Sequence, residues 1–130
     1  MYEILIVGGG PAGLTAAIYA ARAGKHVAVL ERGSTGGQII SAPLVENYPG
    51  IPSVSGTELA RQMTEQACTF GAEIVYTEAV GLEKTTAGFR VLCMDGVREA
   101  KTVILATGAA HRRLDLPWET TLTGCGVSYC

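Results

Sequence analysis

The run Ile4-Leu5-Ile6-Val7-Gly8-Gly9-Gly10-Pro11-Ala12-Gly13, answered further on by Glu31, constrains this chain more than any other stretch. Tyr2–Val7 is apolar apart from Glu3 and rich in β-branched residues, as suits a short strand buried on both faces. Gly8 makes a tight turn out of that strand. Gly10 has no Cβ, so backbone can approach a phosphate closely, and Gly13 lets the next helix pack against the strand. Pro11 falls in the first helical turn, where its missing N–H costs nothing. Leu14, Ala17, Ile18 and Ala21 recur at helical spacing, Arg22 lies in the last turn and Gly24 ends the helix. Such a turn aims free N–H groups and the positive end of the helix dipole at an anion.

His26–Leu30 reads as a second strand with Glu31 at its C-terminal tip. A carboxylate there accepts hydrogen bonds from both hydroxyls of an adenosine ribose and repels a 2′-phosphate, which argues against NADP at this site. Strand, glycine turn, helix, second strand and acid together point to a bound dinucleotide in an α/β fold. The alternative is a glycine-rich turn in an ordinary α/β core, with Glu31 merely solvated.

With 130 residues, 48% hydrophobic and 17% charged, the chain suits one globular domain with a real core. The net charge of −2 and the absence of a basic run leave no electrostatic footprint for nucleic acid. Ile4–Ala21 is uncharged, but its glycines and proline fit strand–turn–helix better than a membrane helix. No basic n-region opens the chain, so we expect a cytoplasmic protein. Four cysteines, at 68, 93, 125 and 130, form neither Cys-x-x-Cys nor a zinc pattern, so no metal site is expected. Cys68, on an expected helix, and Cys93, on an expected strand, read as buried, inert hydrophobes.

Residues 32–56 carry glycines and prolines without a period, and a loop that long is usually functional. Gly36-Gly37-Gln38 and Asn47-Tyr48-Pro49-Gly50 each offer an amide, which can donate and accept at a heterocycle's edge or simply stabilise a turn. Thr57–Phe70 reads as a helix with Leu59, Met63, Ala67 and Phe70 on its core face, stopped by Gly71. Arg61 and Glu65 are spaced for a solvated pair. Glu73–Tyr76 is expected as a third parallel strand. Ala79–Lys84, Gly88–Met94 and Val97–Thr102 read as an antiparallel meander, with Asp95-Gly96 as a hairpin turn. Thr102–Ala106 reads as a further buried parallel strand whose Thr107-Gly108 end lies at the ligand edge of the sheet. Residues 109–130, including His111, Arg112 and Arg113, show no clear periodic element.

These residues match a known family. Ile-Val-Gly-Gly-Gly-Pro-Ala-Gly-Leu at 6–14, Gly-Gly-Gln at 36–38, Val-Glu-Asn-Tyr-Pro-Gly at 45–50, Ile-Leu-Ala-Thr-Gly-Ala at 104–109 and Gly-Val-Ser-Tyr-Cys at 126–130 resemble the first part of the low-molecular-weight thioredoxin reductases. These are flavoproteins of the pyridine nucleotide–disulfide oxidoreductase superfamily. The resemblance implies a Rossmann-like FAD/NAD(P)-binding domain, with FAD as the cofactor. It places the pyrophosphate on Gly8, Gly10, Pro11, Ala12 and Gly13, and the adenosine ribose on Glu31 with Arg32 beside it. Gly37, Gln38 and Asn47 would approach the ribityl chain and flavin ring, Ala79 the adenine through its backbone, and Ala106, Thr107 and Gly108 the cofactor at the strand end.

By the same resemblance, Cys130 is the first cysteine of the catalytic Cys-x-x-Cys on an NADPH-binding domain. Residues 1–114 would form the FAD-binding part and 115–130 a link toward that domain. The chain would be an incomplete piece of a homodimeric FAD-dependent thioredoxin-disulfide reductase, inactive alone, whose partner is a thioredoxin-like protein. Trp118, where the family usually has glycine, and Cys125, where arginine is common, depart from the pattern. A free-standing NAD- or FAD-binding module without disulfide chemistry, and an apo scaffold that pairs with itself, are the other possibilities.

Overall fold

The structure, a computed structural model, describes residues 1–110 and 112–129. Its frame is one six-stranded sheet. The chain runs β1 (Tyr2–Val7), α1 (Pro11–Arg22), β2 (Val27–Glu31), a 3-10 helix (Gly37–Ser41), α2 (Gly56–Thr69), β3 (Glu73–Tyr76), β4 (Ala79–Thr85), β5 (Gly88–Cys93), β6 (Gly96–Leu105) and a four-residue α3 (Glu119–Leu122). The strand order is β3-β2-β1-β6-β5-β4. The β3, β2, β1 and β6 pairings are parallel, and β6-β5-β4 is antiparallel.

Period-two alternation sorts the parallel strands onto two cores. Ile6, Val27 and Val29 face α1 and α2, packing with Leu14, Ala17, Ile18, Leu59, Met63 and Ala67. Leu5, Ala28 and Leu30 face the other way, against Val91, Cys93 and Ala100 of the antiparallel strands. The meander therefore does what a second helix layer does elsewhere: it covers the open face of the parallel sheet. Each fully buried aliphatic, such as Leu5, Leu14 or Leu30, contributes about 1.5–3 kcal/mol by leaving water.

The two expected segments Val97–Thr102 and Thr102–Ala106 are one strand, β6. Ala100 pairs with Tyr2 on one side and Phe89 on the other. A strand can serve a parallel neighbour along one edge and an antiparallel one along the other, because its two edges carry independent hydrogen-bonding groups. Ala106 lies just past the strand, with its N–H donating to the Val7 carbonyl.

Three burial assignments are corrected: the Thr102–Ala106 stretch, expected to be buried, leaves Ile104 38% and Leu105 64% exposed, and the other two concern single side chains. Phe70 is 42% exposed. It follows the last turn of α2, and its ring lies 5.5 Å from the Arg22 guanidinium rather than in the core. Cys68 is exposed, whereas Cys93 is buried as expected. Cys68 follows Ala67, which is fully buried, and an α-helix turns the next residue about 100° away. Burial pushes the Cys93 thiol's pKa up. Among the described residues no helix is long and apolar enough to cross a membrane.

Candidate functional site

The parallel strands all end at the same edge, and the glycine loop lies there between β1 and α1. Gly8 has φ +109°, which L side chains rarely adopt, and a Cβ on it would lie 2.2 Å from the Ala106 carbonyl oxygen. A Cβ on Gly13 would lie 1.9 Å from the Gly8 carbonyl oxygen. These two glycines are required by the protein's own backbone. Gly10 is different: no protein atom comes within 4 Å of the position its Cβ would take, and its φ of −74° suits any residue. Nothing inside the fold demands glycine there.

The starts of the two long helices differ in the same sense. At α2 the Ser55 side chain accepts from the Glu58 N–H, and the Glu58 carboxylate sits in the first turn. That N-terminus is satisfied internally. At α1 the N-cap is Gly10, Pro11 occupies the first turn, no side chain caps the helix and the first turn holds no acid. Among the described residues no side chain accepts from its free N–H groups; the Glu31 carboxylate lies beside the turn, on the Gly9 N–H.

Glu31 closes β2 beside this loop. One carboxylate oxygen accepts the Gly9 N–H and the other the Gly33 N–H, both at 2.8 Å. Two backbone donors hold the carboxylate in a fixed direction and leave each oxygen further acceptor capacity. A Cβ on Gly9 would approach this side chain to 3.0 Å. Gly9 and Gly33 thus orient Glu31. The sequence gives no signal for the Gly9 contact, since Gly9 lies 22 residues before Glu31 and only the pairing of β1 with β2 brings them together.

The expected residues gather unevenly. A Cβ on Gly37 would lie 3.4 Å from the Gly10 Cα, and the Gly36 N–H donates to the Gly9 carbonyl at 2.7 Å, so the Gly36-Gly37 turn lies against the loop. The Gln38 amide donates to the Ala109 carbonyl, tying this turn to the segment after β6. Ala106 and Thr107 sit under Gly8, and Gly108 is a left-handed turn at φ +70°. Arg32 points away along the surface, 3.7 Å from the Glu78 carboxylate. Ala79 opens β4 opposite Cys93. Asn47 is exposed, with no hydrogen bond from its side chain among the described residues. Its segment is instead organised by the Val45–Val54 and Tyr48–Ile51 bridges, so a turn-stabilising side-chain role has no support. Cys130 and His111 lie outside the described residues.

Gly56 holds the loop segment from below. A Cβ on it would lie 1.7 Å from the Ile39 carbonyl oxygen, so the 3-10 helix rests directly on the start of α2. Sequence reasoning missed this contact, because it joins segments whose closeness only the packed fold creates.

Residues 2–130 match the family model described as pyridine nucleotide-disulphide oxidoreductase. A thioredoxin reductase of Treponema pallidum is 45% identical over 130 residues, covering 99% of this chain and 42% of that protein. The solved thioredoxin reductase of Lactococcus lactis superposes with a TM-score of 0.92 at 40% identity, covering 100% of this chain and 43% of that one. The Streptococcus pyogenes enzyme gives a TM-score of 0.86 at 48% identity, over 100% of this chain and 42% of that one. The chain therefore spans well under half the length of the relatives it matches. Loop, sheet order and sequence agree over the whole chain, which belongs to the pyridine nucleotide-disulphide oxidoreductase family.

Proposed function

We propose that this chain builds the adenosine-diphosphate side of an FAD pocket in a thioredoxin-reductase-like flavoprotein. The observation that carries the reading is the uncapped start of α1, with Gly10 open to solvent and Glu31 held beside it. The residues present fit the cofactor. The Ala12 and Gly13 N–H groups would take the pyrophosphate, with Gly8 and Pro11 shaping the turn. Glu31 would take the ribose hydroxyls through its remaining acceptor sites, with Arg32 beside it. Gly37, Gln38, Asn47, Ala79, Ala106, Thr107 and Gly108 complete the proposed lining, of which Asn47 has the least structural support.

Bound FAD supplies a two-electron carrier between a reduced nicotinamide and a disulfide. The chain's own contribution is binding and orientation. Glu31 repels a 2′-phosphate, which disfavours NADP at this site and leaves the NAD(P)H donor to another domain. Cys130 is proposed as one member of the redox-active pair, and residues 115–130 as the link toward it. The likeness to thioredoxin reductases supports thioredoxin or a similar protein as the electron acceptor, and a homodimeric cytoplasmic enzyme as the whole. These 130 residues alone are expected not to turn over, since one cysteine of the pair cannot cycle as an intramolecular disulfide.

Titration of the purified chain with FAD, followed by flavin fluorescence, tests the reading. Saturable binding that NAD does not displace is expected. A chain that takes NAD and ignores FAD refutes it and favours a free-standing nucleotide-binding module.

A further inference from the structure

Among the described residues two polar or charged side chains are buried, Thr77 and Glu119. Glu119 is satisfied within the tail, by the Leu114 and Leu116 N–H groups and the Tyr129 hydroxyl. Thr77 is tied instead to segments far from it in sequence. With Glu78 it forms the whole link between β3 and β4, the two edge strands of the six-stranded sheet. Five strand spacings of about 4.8 Å would part those edges by about 24 Å in a flat sheet, while three residue steps reach only about 10–11 Å. The sheet must therefore fold over on itself, with the meander lying across the parallel strands, and the link closes it.

Both link residues are held from two sides. The end of β2 holds one: the Thr77 N–H donates to the Glu31 carbonyl at 2.9 Å, and Arg32 lies 3.7 Å from the Glu78 carboxylate. The turn between β5 and β6 holds the other. There the Thr77 hydroxyl donates to the Asp95 carboxylate at 2.5 Å, and the Met94 N–H donates to the Glu78 carbonyl at 3.0 Å. The Arg98 guanidinium donates to both Asp95 oxygens, at 3.0 and 2.7 Å, which fixes the direction of the carboxylate. Ala79 follows the link directly and opens β4. We propose that Asp95 is a positioning residue for the adenosine end of the nucleotide site: held by Arg98, it anchors Thr77 and so sets the spacing between Glu31 and Ala79, the residues assigned to ribose and adenine. The inference rests on the reading of this edge as an FAD site. Asp95 does not itself touch the cofactor; it acts through Thr77. Its side chain is 50% exposed, so solvent screens the bond, and losing it loosens the link rather than unfolding the chain.

The test is calorimetric titration of the 130-residue chain with ADP and, separately, with FAD. Thr77→Val removes the hydroxyl and leaves the Asp95–Arg98 pair, whereas Asp95→Asn weakens both. Each is expected to weaken ADP and FAD by the same factor, about threefold, because a looser link lowers the fraction of chains with the pocket formed. Thr77→Ser, which keeps the hydroxyl, is expected to recover the parent affinity. Val27→Ala, on the helix side at the start of β2, controls for general destabilisation: it should lower Tm and leave both affinities unchanged. If Asp95→Asn weakens binding and Thr77→Val does not, Asp95 serves the hairpin alone and the proposal is overturned. A loss confined to FAD, or an equal loss in Val27→Ala, overturns it too. Should Asp95→Asn fail to fold, the two Thr77 variants decide. A parent chain that binds neither ADP nor FAD refutes the cofactor reading and this proposal with it. A parent that binds both, with Thr77→Val its equal, overturns this proposal alone.

Discussion

Gly13 and Gly10 lie three residues apart in one loop, yet the structure gives them opposite reasons to be glycine. Consider Gly13→Ala. The new Cβ would start 1.9 Å from the Gly8 carbonyl oxygen, where ordinary contact begins at 3.4 Å. Backbone on one side must retreat by about 1.5 Å, and overpacking of this kind costs about 1–3 kcal/mol. Alanine's better helix propensity returns up to about 1 kcal/mol. The net loss is about 1–2 kcal/mol. At roughly 4 °C per kcal/mol for a chain of this size, Tm falls by about 4–8 °C. Flavin affinity falls with it, since the displaced atoms belong to the turn that would hold the pyrophosphate.

Gly10→Ala puts a methyl group into space that no protein atom occupies. Only the N-cap preference changes, by about 0.5 kcal/mol, so Tm moves by about 2 °C or less. Flavin affinity is nonetheless expected to fall at least about tenfold, worth about 1.4 kcal/mol, because the methyl occupies the approach path of the phosphate. Thermal unfolding by circular dichroism, and fluorescence titration with FAD, read the two effects separately. The reasoning is refuted if Gly13→Ala leaves Tm unchanged, or if Gly10→Ala binds FAD as the parent does.

Three further perturbations test other parts of the structure. Glu31→Gln keeps the shape but presents an amide NH2 to one of two backbone donors; it should lower stability by about 1–2 kcal/mol and weaken FAD binding, read by Tm and titration. Hydrogen bonds from Arg61 and Gln62 hold the Glu58 carboxyl at about 2, below its usual 4.5. A depressed folded pKa means that its small contribution is complete above pH 4.5 and is lost as pH falls toward 2; a carboxyl NMR titration with a midpoint near 4.5 would contradict the geometry. The Thr77 hydroxyl and then Arg98 depress the Asp95 pKa, so Thr77→Val should move the Asp95 midpoint upward in the same experiment, and an unchanged midpoint would exclude that hydrogen bond.

Elements with a strong local signal were legible in the chain itself. β1, α1 and β3 fall where periodicity and glycine punctuation place them, and α2 and β2 differ by a residue at each end. A hairpin also forms there, but one residue earlier than expected: Met94 and Asp95 make the turn, and Gly96, at φ +136°, opens β6 opposite Cys93. Short elements without a period were not legible. The 3-10 helix at Gly37–Ser41 lies on Gly56, and α3 is organised by a buried Glu119 that carries no sequence signature. Phe70 shows the limit of helical periodicity: it continues the apolar pattern of α2, but the helix ends one residue earlier and the ring turns to Arg22.

The sequence by itself determined that a strand, a glycine turn, a helix and an acid follow one another, and that their spacing suits a dinucleotide. Those features are local: dihedral freedom at Gly8, a missing donor at Pro11 and the apolar alternation of β1 act over a few residues. Only the tertiary structure decided which glycines the protein's own backbone requires and which it leaves unconstrained. That distinction depends on atoms far along the chain, such as the Ala106 carbonyl facing Gly8 and the empty space over Gly10. It likewise decided that β6 joins the parallel and antiparallel halves into one sheet, and that a carboxylate in the tail meets Tyr129. Steric contact and burial depend on distance in space, and a sequence records only distance along the chain.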